Sequence, residues 1–299
     1  MADKDMASRK EAITALGYMG PAAIPALVEA LHDGNEGIQK YAAQILSKMG
    51  SEAVPVLEAV LEDQDEAAAV RDVAAEALGN MGPAASSAIP TLVRVFAHDP
   101  DEVVQYDAAL ALVKMGKHAI PAFESVLQEE DVEVRRRAAH ILGAFGSEAI
   151  PVLEKALLDE DIWVQTSVAF ALGNIGPQAI PVLGALLRHE GVRENAALAL
   201  RVIGAESVPT LVEALKDKEA QFHAAKALTE LGPAAKSAIP ALTEALKEEE
   251  IRYFAANALK SIGPEAESAI PALEEVFHET EDFLTSKAIE EALESLRGS

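Results

Sequence analysis

The sequence contains no cysteine among its 299 residues. That absence excludes disulfides, thiolate metal sites, iron–sulfur clusters and thiol nucleophiles, and it suits a reducing compartment such as the cytoplasm. Basic residues are also scarce, because 25 Lys and Arg stand against 49 Asp and Glu, a formal net charge of −24. A chain this acidic is not expected to bind nucleic acid or an anionic membrane through a general electrostatic contact.

Aromatic residues are the second scarce class, at 4% of a chain that is 50% hydrophobic. The core is therefore expected to consist of closely packed small aliphatic side chains, in a chain too apolar to be disordered. The first ten residues carry both charge signs and no apolar segment, so no secretory signal is expected. Residues 162–187 contain no charged side chain, but Gly173, Gly176 and Pro177 interrupt them. This stretch predicts two short buried helices and no membrane span.

An internal repeat organises the whole chain. A small residue, then Ile or Val, then Pro recurs nine times at spacings of 28 to 35 residues. The nine prolines are Pro25, Pro55, Pro90, Pro121, Pro151, Pro181, Pro209, Pro240 and Pro271. A glycine precedes each proline by five residues in six repeats and by eight in three. The three extra residues are expected to add about one helical turn.

Each repeat predicts two helices. The first begins near the proline, as in residues 24–31, where apolar side chains follow the i, i+3, i+4, i+7 pattern of one buried face. An acidic stretch ends this helix and opens the second, typified by residues 164–176, whose final glycine suits a left-handed C-cap. Paired alanines in the second helices, such as Ala74 and Ala75, allow neighbouring helices to approach closely.

The second-helix pattern V-R-x-x-A-A-x-A-L-G-x-I-G, followed by A-I-P-x-L, resembles the short HEAT-type repeat, also called the phycobilisome-lyase HEAT-like repeat. The resemblance implies an all-α, right-handed α-solenoid (α-α superhelix) of about nine helix pairs plus an N-terminal half repeat. It implies a single domain over 1–299, with a half repeat or cap at 1–20, repeats at 21–280 and a divergent C-terminal cap at 281–299.

The arginine of this pattern implies a ladder between repeats, in which it pairs with an Asp at the neighbouring turn. Arg71, Arg135, Arg193 and Arg252 match the pattern, whereas Gln39, Gln105, Gln165 and Gln221 stand at the same position in the other repeats. Glutamine donates hydrogen bonds there but cannot form the ion pair, and we interpret these positions as structural.

No catalytic motif or cofactor motif is found, and neither a catalytic residue nor a cofactor is expected. Four His-acid pairs, at His32, His98, His189 and His278, invite comparison with the HEAT-like deoxyhypusine hydroxylases, whose His-Glu pairs hold iron. Those pairs belong on second helices, whereas all four here end first helices in different repeats. Successive repeats stack at about 10 Å, so no metal site is expected and each His serves a helix C-terminus.

The second helices of HEAT-type solenoids line the concave side, and we expect a partner to bind there. Trp163, Thr166 and Phe170 form one stripe of a 3.6-period helix, and alignment on the alanine pair extends it to other repeats. The predicted partner-binding residues are Tyr106, Leu110, Arg136, Arg137, His140, Trp163, Thr166, Phe170, Asn195, Leu198, Phe222 and Tyr253. Arg136 and Arg137 are expected to face an acidic group on the partner.

Two interpretations of this stripe remain open. Aromatic and Arg side chains on a concave floor are typical of interface hot spots, which favours an apolar patch centred on Trp163 and Phe170. Alternatively, strong curvature buries the same rings between repeats, with Tyr41 and Phe254 as candidates for inward packing.

The predicted function is a non-enzymatic, cytoplasmic, monomeric scaffold or adaptor that binds a protein or peptide on its concave face, without nucleic acid or membrane. The alternative, implied only by the name of the repeat family, is a bilin (phycobilin) lyase or lyase-type chaperone subunit.

Overall fold

The computed structural model describes residues 2–298, with side chains from residue 5 onward. These residues contain nineteen α-helices and no β-strand, so the all-α solenoid prediction is confirmed. The chain divides into two compact units, Met1–Ala149 and Ile150–Ser299, termed here the N-terminal and C-terminal units. The prediction of one continuous domain stays a prediction.

The N-terminal unit consists of a lone helix and four helix pairs. Its helices are α1 (Ala2–Tyr18), α2 (Ile24–Glu29), α3 (Glu36–Leu46), α4 (Val54–Glu62), α5 (Ala68–Met81), α6 (Ile89–His98), α7 (Glu102–Met115), α8 (Ile120–Val126) and α9 (Val132–Gly143). Helices α1, α3, α5 and α7 pack successively in one layer, and α4, α6 and α8 in another.

The C-terminal unit consists of five helix pairs. Its helices are α10 (Ile150–Ala156), α11 (Ile162–Ile175), α12 (Ile180–Leu186), α13 (Arg193–Ile203), α14 (Val208–Ala214), α15 (Gln221–Leu231), α16 (Ile239–Ala245), α17 (Glu249–Ile262), α18 (Ile270–Glu279) and α19 (Phe283–Arg297). The second helices α11, α13, α15, α17 and α19 pack successively. Together the units contain nine pairs, termed repeats 1 to 9, after the half repeat α1, as the sequence predicts.

Each second helix ends near a glycine and each first helix begins near a proline, as the sequence predicts. All nine glycines that precede the prolines have positive φ, and each first helix begins one residue before its proline. A short 3-10 segment joins the two points, as at Gly20–Ala23. The three longer linkers extend the 3-10 segment by about one turn, as expected, at Gly82–Ala88, Gly232–Ala238 and Pro264–Ala269. Within Gly82–Ala88, Ala85 has a non-helical backbone conformation (φ −101°, ψ 22°).

The ladder that the resemblance implies between repeats is formed at Arg71. The Arg71 guanidinium on α5 donates from Nε and Nη2 to the Asp99 carboxylate of the next repeat, both at 3.0 Å, and from Nη1 to its own turn at Glu66. Gln105 donates instead to the backbone carbonyl of Asp99, at 2.5 Å. Arg252 departs from the ion-pair pattern, since it contacts the Thr280 hydroxyl at 3.4 Å. Arg71 therefore links two repeats and closes its own turn, whereas the side-chain amide of Gln105 closes the turn of its own repeat.

Small residues allow the second helices to pack closely. The alanine pair Ala74 and Ala75 is fully buried. A Cβ added at Gly79 of α5 would lie 2.8 Å from the Ala111 Cα of α7, so the two backbones are nearly in contact there. This packing explains how the chain forms a core with few aromatic side chains.

The uncharged stretch folds into the separate helices α11 and α12, as the sequence predicts. The expectation that both helices are buried is wrong for α11, because Ile162, Trp163 and Phe170 are exposed. The two helices are bent by 118° relative to each other at the break between them. Taken together, the bent pair has the length and apolarity of a membrane span. Within residues 2–298, no single helix is long and apolar enough to cross a bilayer.

Candidate partner-binding surfaces

In the C-terminal unit, α11 presents the predicted aromatic stripe to solvent. Trp163 is 64% exposed and Phe170 is 44% exposed, so packing between repeats does not bury these rings. The Asp161 side chain caps α11 by accepting hydrogen bonds from the Trp163 and Val164 amides, which places Trp163 in the first turn. The half-buried Thr166 donates its hydroxyl proton to the Ile162 carbonyl at 2.8 Å.

A groove of about 350 Å³ runs beside this stripe, lined by α11, α13 and α15. Its apolar lining includes Ile162, Ala197 and Leu198, and its walls carry charged side chains. The charges are paired across α13 and α15: Lys226 Nζ lies 3.3 Å from Glu194 Oε1, and Arg201 Nε lies 2.9 Å from Glu230 Oε2. Since the acids and bases of the walls balance, the groove is nearly neutral although the chain is strongly acidic.

Two polar side chains at this groove, His223 and Asn195, are withdrawn from solvent in part or completely. Burial lowers the pKa of the His223 imidazole, and the nearby Arg193 guanidinium lowers it further, so the ring is neutral at pH 7. Asn195, predicted to contact a partner, is only 5% exposed, and its amide donates to Gln165 Oε1 of the preceding repeat at 2.8 Å. Asn195 therefore links repeats 5 and 6 instead of facing solvent, because one neighbouring glutamine satisfies it.

A ring cluster joins α15 and α17. Phe222 meets Phe254 edge to face, with centroids 4.7 Å apart, and Tyr253 meets Phe254 at 5.0 Å. Phe254 is half-buried, as the inward-packing interpretation expects, while the predicted residues Phe222 and Tyr253 remain exposed.

In the N-terminal unit, α7 presents an apolar stripe. Val103, Tyr106 and Leu110 lie at i, i+3 and i+7, and all three side chains are exposed. On α9, His140 is exposed and Arg136 is half-buried, with Nη1 donating to Glu133 at 2.7 Å.

Arg137 is placed differently from the prediction. Its guanidinium donates to the Gln105 side chain and to the Ala97 carbonyl, and it lies over the Phe96 ring, 5.4 Å from the centroid. Two hydrogen-bond acceptors and one aromatic ring, all on the preceding repeat, contact the Arg137 guanidinium. The side chain therefore binds the preceding repeat instead of facing a partner.

Sequence reasoning missed a carboxylate pair on the same unit. Asp72 on α5 and Asp107 on α7 are half-buried, and each belongs to a different repeat. Burial, the neighbouring Asp107 carboxyl and the charge of Glu76 raise the pKa of Asp72 to about 7, against a weaker opposing effect of Lys40. Two neighbouring carboxylates repel each other unless one of them holds a proton, so Asp107 favours the protonated form of Asp72.

We expect this pair to make the stability of the N-terminal unit depend on pH. Asp72 has an ordinary pKa near 3.8 when unfolded and about 7 when folded, so the folded state binds the extra proton between those values. Stability therefore falls as pH rises from about 4 to about 7 and levels off above. Because Asp72 is only half-buried, solvent screening keeps the loss to on the order of 1 to 2 kcal/mol.

Urea unfolding at pH 5 and pH 8 measures this effect, with Asp107→Asn as the comparison. The asparagine amide can donate to an ionised Asp72, so the variant should lose most of the decline between the two pH values. A decline equally steep in the variant would assign the pH dependence to other carboxyl groups.

Two of the four histidines at first-helix ends, His32 and His98, reach a carboxylate of the next repeat. His32 Nε2 lies 2.9 Å from the Glu66 carboxylate, which raises the pKa of the imidazole, and His98 Nε2 lies 3.7 Å from Glu129. In the part of the chain that the structure describes, no group of three His, Asp or Glu side chains could hold a metal ion.

The repeats match a known protein family. A family model described as HEAT repeats matches residues 1–68, 63–131, 120–201, 150–232 and 208–294, windows that overlap along nearly the whole chain. No curated protein matches the sequence significantly.

Several solved structures resemble the fold. Human deoxyhypusine hydroxylase in complex with glycerol is 23% identical over 86% of this chain and 99% of its own, with a TM-score of 0.36. YibA from E. coli is 20% identical over 92% of each chain, with a TM-score of 0.36. The karyopherin Kap121p, bound to the extreme C-terminus of the protein phosphatase Cdc14p, is 14% identical over 93% of this chain and 37% of its own, with a TM-score of 0.48. At these identities the likeness concerns the fold alone.

Proposed function

Because the chain belongs to the HEAT-repeat family, we propose that it is a non-enzymatic scaffold or adaptor that binds a protein or peptide segment on the exposed face of its second helices. Membership of the family establishes the fold. Because one fold hosts many functions, the proposed function has to be argued from the residues of the site.

The proposal rests on the exposure of Trp163 beside the groove that α11, α13 and α15 line. This residue is the only tryptophan of the chain, and it lies in solvent while alanine and leucine form most of the core. Tryptophan is the side chain most enriched among interface hot spots, because a partner that covers it buries a large apolar area. The neighbouring Phe170 and the groove floor at Leu198 extend the apolar contact along α11 and α13.

The groove favours a protein segment over a small polar ligand. Its acidic and basic side chains balance in number, so an occupant gains most by burying apolar side chains on Ile162, Ala197 and Leu198. A volume of about 350 Å³ accommodates a few such side chains from one segment. The charge of −24 disfavours nucleic acid and anionic membranes as partners. The absence of cysteine supports a cytoplasmic location, and we propose that the protein acts there as a monomer.

The double variant Trp163→Ala/Phe170→Ala tests the proposal. Both rings are exposed, so we expect a thermal unfolding midpoint within about 2 °C of wild type. Binding should weaken by about 30-fold or more, since truncated hot spots typically cost at least 2 kcal/mol. Affinity capture from the source organism, comparing wild type with the variant, identifies the partner, and titration of that partner measures the loss.

Leu158→Ala is the matched control, because Leu158 is exposed but lies in a turn between helices. It should leave both stability and capture unchanged. A large drop in the unfolding midpoint of the double variant would show that the rings serve packing. Equal capture by the double variant and wild type would reject this face as the binding site.

A further inference from the structure

Three adjoining rings of the C-terminal unit, Phe222, Phe254 and Tyr253, form a surface cleft, termed here the aromatic notch. Phe222 on α15 is 42% exposed and Tyr253 on α17 is 38% exposed. The half-buried Phe254 lies between them and meets both rings edge to face. Aromatic rings are scarce in this chain, and a cluster of them at the surface is typical of a binding site.

The two exposed rings are spaced like one turn of a polyproline II helix. Phe222 and Tyr253 each stand two residues before the alanine pair of their helix, so they occupy equivalent positions on adjacent helices. Packed helices lie about 8 to 10 Å apart, and the two ring centroids, at 4.7 and 5.0 Å from that of Phe254, agree with this separation. A polyproline II helix rises about 9 Å over the three residues of one turn, so its residues i and i+3 face one side at the same spacing.

An extended strand fits this spacing less well. The residues of a strand that share one face are i and i+2, about 7 Å apart, so a side chain above Phe222 leaves the next one short of Tyr253. Proline-rich segments, in contrast, dock on surfaces lined by aromatic rings, because their conformation is already formed before binding.

The hydroxyl group of Tyr253 distinguishes a polyproline II segment from an α-helix. The backbone carbonyl of Tyr253 accepts from the Asn257 amide at 2.9 Å, but its hydroxyl has no hydrogen-bond partner among the residues described. An α-helix satisfies its own carbonyl groups, whereas a polyproline II helix has no internal hydrogen bonds and leaves its carbonyls open to a donor. The notch therefore offers both an apolar surface and a donor to such a segment.

Charge beside the notch is unbalanced on one side. Three exposed glutamates at 248–250, termed the acidic run, stand at the start of α17, and none forms an ion pair among residues 5–298. Arg252 of the same helix donates instead to backbone carbonyls of the preceding turn. Just before α15, by contrast, Glu219 is paired with Arg193 at 2.9 Å. A cation on a partner is therefore attracted to the α17 end of the notch.

We propose that the aromatic notch binds a proline-rich protein segment in the polyproline II conformation. Two prolines three residues apart cover Phe222 and Tyr253, the Tyr253 hydroxyl donates to a carbonyl of the segment, and a flanking Lys or Arg lies near the acidic run. This inference rests on the proposed function in that second-helix faces bind protein segments, and it assigns the class of segment. The notch includes neither Trp163 nor Phe170, so the two sites can be tested separately.

Fluorescence anisotropy with labelled peptides and the full-length protein tests the proposal. The probes are ten prolines with two arginines at either end, the tighter of the two being used, and ten prolines without arginine. A helix-forming peptide of equal length and charge, with leucines at i, i+3, i+4 and i+7, is the conformational control. The arginine-bearing oligoproline should bind about threefold or more tightly than the uncharged one at low salt, and the leucine peptide should bind weakly.

Variants at the rings test where the oligoproline lies. Tyr253→Ala should weaken its binding at least about tenfold, and Tyr253→Phe should cause a smaller loss, because it keeps the ring and removes the donor. Phe283→Ala removes the exposed ring of α19 and is the matched control, expected to leave binding unchanged. Trp163→Ala/Phe170→Ala should also leave it unchanged. Thermal unfolding of each variant confirms that the protein is folded.

A charge variant tests the acidic run. With Glu248→Gln/Glu249→Gln/Glu250→Gln, the arginine-bearing oligoproline should bind no more tightly than the uncharged one, and the salt dependence of its binding should disappear. A matched control removes three exposed carboxylates from the linkers between helices and should change neither quantity: Glu52→Gln/Glu206→Gln/Glu265→Gln.

Three results would overturn the inference. They are no binding of any oligoproline, equal binding of the leucine peptide, and oligoproline binding that Tyr253→Ala leaves unchanged. If the oligoprolines fail while Trp163→Ala/Phe170→Ala still loses its captured partner, the proposed function stands and only the assignment of the notch is wrong. If the oligoprolines bind as expected while that double variant captures its partners normally, the notch is the binding site and the groove beside Trp163 is not.

Discussion

Asp99→Asn is expected to lower the free energy of unfolding by about 3 to 5 kcal/mol, because it leaves the Arg71 guanidinium buried without its counter-charge. The Asp99 side chain is fully buried and that of Arg71 is 5% exposed. The carboxylate accepts two hydrogen bonds from Arg71 and one from the Asp101 amide at 2.9 Å. The amide nitrogen of asparagine would oppose one of the Arg71 donors, so an acceptor is lost together with the charge.

Asp217→Asn is the matched control for this ion pair. Asp217 lies in the turn after α14, as Asp99 lies in the turn after α6, and accepts from Arg188 Nε at 2.7 Å. That arginine side chain is 59% exposed, and exposed pairs contribute less than about 1 kcal/mol. Urea unfolding of both variants gives the comparison. An Asp99→Asn loss no larger than that of Asp217→Asn would contradict the assignment of the Arg71–Asp99 pair to the buried class.

The repeat and its helix boundaries could be predicted from sequence because they depend on local backbone chemistry. A positive φ at the glycine, a fixed φ at the proline and carboxylates at helix N-termini act within one repeat, whatever the neighbours do. The exposed positions on α11 were predictable for the same reason, since helical periodicity places Trp163 and Phe170 on one face.

Contacts between repeats depend on how adjacent helices are offset, and the sequence pattern does not contain that offset. Asp72 and Asp107 stand at different positions relative to their alanine pairs, so alignment of the repeats does not place them together. Arg137 and Asn195 follow the surface pattern of their own helices, yet acceptors on the preceding repeat hold both side chains. Polar residues at the edge of the buried face are therefore the positions at which reasoning from a single repeat fails.

Phe123→Ala is expected to cost about 3 to 5 kcal/mol, the usual range for a large aromatic side chain removed from a core. Phe123 on α8 is the largest fully buried side chain of a chain built mainly on leucine and alanine. Its ring meets Phe96 at 5.7 Å and Phe145 at 5.8 Å, both edge to face, so it joins repeats 3 and 4. Alanine would leave a cavity between two rings that cannot close it without moving α6 or the turn after α9.

Phe283→Ala provides the control, because Phe283 is 76% exposed at the start of α19 and should contribute less than about 0.5 kcal/mol. Urea unfolding followed by circular dichroism measures both variants. The cation–π contact of Arg137 with Phe96 lies next to the cavity, so Phe123→Ala should also loosen the packing of α9. Hydrogen exchange at the amides of α9 would detect that loosening. Equal stability of the two variants would mean that the ring cluster does not hold repeats 3 and 4 together, and that the aliphatic side chains of the two repeats suffice.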